Sequence, residues 1–195
     1  MRRIIIGLAT TLFLSNQAIA QPRASDSVWV EALPEHMTRR VSNDPFETAT
    51  SSLVQRGAVS EAFVAGAKVW NVSPIRVCFF GGPKNVRTQI ASVASVWESI
   101  GASIRFDFGN RSDPRICDGT FSHIRIGYSF PGYWSTIGQD SIIHASQIEQ
   151  SMNFSGFDWQ LPNPAEFRRV VVHEFGHALG FQQEHQNPAR TCSTE

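Results

Sequence analysis

The sequence has no excess of charge: 17 Lys and Arg stand against 17 Asp and Glu, and neither sign is concentrated in one stretch. That removes the usual electrostatic grounds for a nucleic-acid or anionic-membrane partner. Past the first 20 residues there is no run approaching the ~20 consecutive apolar residues of a membrane span. Cysteine is scarce, three in 195 residues, so one internal disulfide is the most the chain can hold. Cys78 and Cys117 both fall where the chain reads as folded. They are the expected pair if export allows one, and a pair of buried thiols otherwise; Cys192 is left over.

What is present suits one globular core with extensions. Hydrophobic residues make up 42% of the chain, ample for a single domain of this length. Arg2 and Arg3, the apolar run Ile4 to Leu14 and the small residues Ala18 and Ala20 together make a signal peptide over 1–20, with cleavage before Gln21. The mature protein is then soluble, exported or periplasmic, and free of the membrane. Residues 21–65 mix Pro, Ser, Thr and charge with weak periodicity and read as an extension or pro-segment; Val59 to Val69 fits a short helix. The folded domain is expected over 66–195.

Within it, Ile75 to Phe80 is β-rich and stops at Gly81-Gly82-Pro83. Val86, Ile90, Val93, Trp97 and Ile100 step at helical spacing up to Gly101, and Ile104, Phe106 and Phe108 alternate as in a half-buried strand. Strand, helix, strand in that order implies a crossover and a parallel pair. His123 to Tyr128, Tyr133 to Gly138 and Ser151 to Phe154 read as further strands. His36, His123 and His144 read as solvated or hydrogen-bonded residues, not ligands.

The densest chemistry lies in Val170 to Pro188. His173 and His177 stand four apart, which on a helix puts both imidazoles on one face, one turn apart, where they can share one Zn²⁺. Glu174 is then placed to accept a proton from a water made acidic by that ion. The helix bounds itself: Asn163 as N-cap, Pro164 at the first position, Glu166 closing a capping box and Gly180 just past the last turn. Phe167, Val170, Val171, Ala178 and Leu179 should face the core.

His-Glu-Phe-Gly-His-Ala-Leu-Gly, followed by Glu184-His185, resembles the metzincin clan of zinc metallopeptidases and, within it, astacin-like and bacterial secreted enzymes. The clan's motif ends in a third histidine ligand; here that position is Gln183. Three readings stand: Gln183 ligates weakly, His185 swings in, or the site holds metal poorly. The resemblance implies an α+β fold, namely the metzincin upper subdomain, with a twisted mixed sheet backed by two long helices and the active-site helix over 164–180. It also implies an antiparallel edge strand in which Trp134, Ser135 and Thr136 line the cleft for a protein or peptide substrate. An exposed edge suits that task because its backbone groups can pair with an extended chain.

The implied function is zinc-dependent endopeptidase activity, with His173 and His177 as ligands and Glu174 as general base. The clan continues past its zinc motif into a lower subdomain with a methionine-containing turn. Here seven residues follow Pro188, methionine occurs at Met1, Met37 and Met152, and tyrosine at Tyr128 and Tyr133. The sequence therefore also admits a fragment, or a catalytically impaired metzincin-like binding module. The 21–65 stretch has neither the cysteine nor the Phe-x-Gly-Asp of known latches.

Overall fold

The β-favouring run Ile75–Phe79 forms β1, and the chain turns back through Gly81 and Gly82, both at positive φ. The computed structural model describes residues 33–43, 68–99 and 103–182. The signal peptide, most of 21–65, the helix stop at Gly101, and Gln183, His185 and Cys192 lie outside the described residues. After β1 come α2 (Lys84–Ala94), α3 (Val96–Ser99), β2 (Phe106–Asp107), β3 (Gly109–Asn110), β4 (Asp113–Pro114) and β5 (Ile124–Gly127). Then follow β6 (Tyr133–Ser135), α4 (Asp140–Ile143), β7 (Met152–Phe154) and α5 (Pro164–Leu179). A helix before β1, α1, spans Glu35–Ser42.

Five strands form one sheet in the order β2-β1-β5-β7-β6. β2, β5 and β7 join their neighbours in parallel, with Ile75 opposite Phe106, Val77 opposite Ile124 and Ile126 opposite Met152. β6 closes the edge antiparallel, Tyr133 opposite Phe154. The fold is thus a mixed, mostly parallel sheet with helices, consistent with the α+β expectation. Central strands buried on both faces need near-continuous apolar sequence, and Val77, Phe79, Ile124 and Ile126 are all buried. Phe106 meets Phe175 of α5 edge to face at 5.1 Å, tying sheet to helix. The expected Cys78–Cys117 disulfide is formed.

Three local readings change. The helix expected as one piece to Ile100 breaks at Ser95, whose hydroxyl donates to the Ser92 carbonyl (2.6 Å) in competition with the helical ladder. Beyond the break Trp97 turns onto α5, where its Nε1 donates to the Val172 carbonyl (3.0 Å). Only Phe106–Asp107 of the 103–108 strand joins the ladder. The loop after it holds an unforeseen two-stranded ribbon, β3 with β4, turned by Asn110, whose Oδ1 accepts from the Ser112 N–H (3.0 Å).

The Arg125 guanidinium, fully buried on β5, is caged by backbone carbonyls. It donates to Glu149 O (2.8 Å), Ser122 O (2.8 Å), Ala145 O (3.1 Å) and Ser141 O. One side chain thereby ties β5 to α4 and the loop beyond it. Burial pulls its pKa down to about 10, so it remains a cation at neutral pH.

Part of the 21–65 stretch proves to be ordered. α1 buries Met37 against Trp134 and Ala145, and Arg40 donates to Glu149 (2.7 and 3.1 Å) and to the His144 carbonyl (2.8 Å). That hydrogen bond from Arg40, foremost, holds the Glu149 carboxyl down at about 2 against an ordinary 4.5. A depressed carboxylate pKa adds stability above the unfolded value, and the gain is lost as pH falls through the folded one. Acidification from about pH 4.5 towards 2 is therefore expected to loosen α1. In a Met-methyl NMR titration the Met37 signal should move over that window, and in Arg40→Ala it should not; identical titrations would refute the link.

Candidate metal centre

α5 starts and stops where its residues dictate. Asn163 Oδ1 accepts from the Glu166 N–H (3.0 Å), Pro164 needs no partner for a missing N–H, and Gly180 takes the left-handed conformation at φ 111°. Only half of the expected capping box forms, because the Glu166 carboxylate pairs with Arg169 (2.8 and 2.7 Å). Phe167, Val170, Val171, Ala178 and Leu179 are all buried, as the helical period requires. Gly176 sits where Trp97 crosses the helix; a Cβ there would lie 3.2 Å from the indole.

On this frame the His173 and His177 rings meet nearly perpendicular, with Nε2 facing Nε2 at 3.0 Å. His177 Nδ1 lies 2.6 Å from the Phe181 carbonyl. A carbonyl only accepts, so Nδ1 carries the hydrogen and Nε2 is the nitrogen turned towards His173. Two nitrogens each ~2.0–2.1 Å from one zinc ion, subtending about 95–110°, stand roughly 3.0–3.4 Å apart. The pair fits that requirement. Among the described residues no group of three or more His, Cys, Asp or Glu is gathered to hold a metal; the third-ligand candidates, Gln183 and His185, lie beyond them. Glu174, adjacent in sequence to one ring and three residues from the other, is fully buried.

Trp134, Ser135 and Thr136 occupy the expected edge strand and the residue after it, yet all three side chains are buried. Trp134 packs with Met37 and Phe130, and Thr136 N–H and Oγ1 both donate to the Ser151 carbonyl (2.9 and 3.2 Å). His123 is hydrogen-bonded, its Nδ1 accepting from the Arg76 N–H (2.8 Å). The His36 ring lies tilted against Phe130, centroids 5.8 Å apart, and His144 lies 3.8 Å from Asp140.

Sequence reading missed the groups that hold the helix end. The last turn of a helix leaves carbonyls without intrahelical donors. Here Gly138 N–H donates to His177 O (2.9 Å) and Trp70 Nε1 to Ala178 O (2.7 Å). The Phe181 carbonyl that orients His177 has no side-chain signature; only Gly180, marking the turn, hints at it.

No family model and no curated protein matches the chain. Among solved structures, a structure of myroilysin, a metallopeptidase, superposes with TM-score 0.52 at 31% identity over 65% of this chain. A crystal structure of myroilysin gives TM-score 0.47 at 24% identity over 79% of the chain. The chain spans just over half of each of those structures, 56% and 58%. The first likeness supports a metzincin-like protease fold.

Proposed function

We propose that this chain carries the zinc-binding half of a metalloendopeptidase site, with His173 and His177 as two of the metal ligands and Glu174 as general base. The observation that carries this reading is the convergence of the two Nε2 atoms at 3.0 Å, with His177 held in the right tautomer by the Phe181 carbonyl. A metal-ligating histidine characteristically donates its other ring N–H in this way. When bound, zinc supplies Lewis-acid polarisation of a carbonyl and makes water acidic enough to deprotonate near neutral pH.

The chain's own residues do the rest. The two rings fix the ion from one side of α5. Glu174 takes a proton from the attacking water and later delivers it to the departing amine. Its burial keeps bulk water from competing for that proton. Because the side chains around β6 are inward, any hold this strand has on a substrate is through its backbone, by strand addition. Gln183 or His185 completes the ligand set, the domain runs over 66–195, and the protein acts on proteins or peptides after export; the disulfide is in keeping with an oxidising compartment.

The test is zinc content of the purified chain from Gln21 to Glu195 after exhaustive dialysis, with cleavage of a denatured protein in parallel. About one zinc per chain with chelator-sensitive cleavage is the expected result. No retained zinc would overturn the reading and favour a binding module without chemistry.

A further inference from the structure

The mechanism leaves unused a charge pair that is almost wholly out of water. Lys68 Nζ and Asp140 Oδ2 stand 2.7 Å apart with side-chain exposures of 4% and 2%. Such a pair is poor value as a source of stability, because desolvating both ions offsets their attraction, and an apolar pair of similar size often does as well. Its surroundings point to another role. Residues 68–70 and the turn 138–140 are laced together beside it: Gln139 N–H donates to Lys68 O (2.8 Å) and Gln139 Nε2 to Val69 O (2.7 Å). The contact is tight enough that a Cβ on Gly138 would lie 2.0 Å from Lys68 O.

Both strands of this clasp end on the last turn of α5. Gly138 N–H donates to the carbonyl of His177, and Trp70 Nε1 to that of Ala178. Val69 also lies against Gly180, the residue that turns the chain so that Phe181 O meets the His177 ring. We propose that Lys68 and Asp140 are positioning residues for the metal centre. Their pairing locks the clasp, the clasp fixes the His177–Phe181 turn, and the turn fixes the tautomer and aim of the His177 ring. This rests on the metal-site reading above.

The experiment compares the parent chain with Lys68→Met, Asp140→Leu and the double variant, because the double variant removes both charges of the pair together. Three quantities are read: thermal unfolding of the metal-free protein, ring ¹⁵N NMR of His177 in the metal-free protein, and Co²⁺ affinity by competition with a chelator. The double variant is expected to unfold within a few degrees of the parent. Its His177 ring should pass from mainly Nδ1–H to mixed tautomers, and Co²⁺ should bind on the order of 10-fold more weakly. A double variant that keeps the parent's tautomer and Co²⁺ affinity overturns the proposal. Should it fail to fold, Gln139→Ala removes the clasp's side-chain bond to Val69 O without burying a charge, and an unchanged His177 ring there counts against the clasp's hold on that turn. A parent that binds no Co²⁺ defeats the metal-site reading instead, while the ring signal still decides whether the clasp positions His177.

Discussion

Glu174→Gln is expected to slow cleavage of a denatured protein by roughly 10²–10⁴-fold, the usual contribution of a positioned general base. That corresponds to about 3–5 kcal/mol in the barrier. Glutamine keeps the volume and polarity of a side chain that is fully buried, so the fold should be undisturbed. It cannot take up a proton. Zinc content should therefore match the parent, and the loss should fall on kcat with little change in KM. Parent-like turnover in the variant would remove Glu174 from the mechanism. Loss of zinc along with activity would mean instead that Glu174 supports the ligands.

Arg125→Met is expected to cost about 4 kcal/mol or more, lowering the unfolding midpoint by on the order of 15 °C. The carbonyls of Ser122, Ser141, Ala145 and Glu149 all receive this one guanidinium. Methionine fills the space but offers no donor, and buried acceptors left unmet each cost about 1–3 kcal/mol. Arg125→Lys should fall between the two, since one ammonium cannot reach carbonyls arranged for a planar fork. Circular dichroism melts of the three proteins decide it. A methionine variant within ~1 kcal/mol of the parent would show that the cage is dispensable.

The sequence by itself determined what is settled within a few residues. Asn163, Pro164 and Gly180 bound α5 because a cap, a fixed φ and a left-handed residue act locally, and the spacing of His173 and His177 follows from helical geometry alone. β1 and the parallel pairing were legible too, since apolar runs and crossover order leave few alternatives. Cys78–Cys117 was the favoured pair, but two buried thiols stood open beside it until the structure showed the bond. Local signals failed where a distant surface competes. The α2 helix breaks at Ser95 so that Trp97 can cover α5, and the strand before Asn110 shortens to two residues where the chain turns into β3 and β4.

Only the tertiary structure decided that Arg125 would be a caged cation, that Lys68 and Asp140 would pair out of water, and that Met37 would dock α1 beside Trp134. Sequence marks each of these as an ordinary charged or apolar residue. Their environment depends on which backbone carbonyls and side chains, 3 residues apart for Arg125 and Ser122 and 72 for Lys68 and Asp140, converge on one point. The convergence of the two imidazoles belongs to both levels: the helix places the rings, and the Phe181 carbonyl, brought round by the turn, aims one of them.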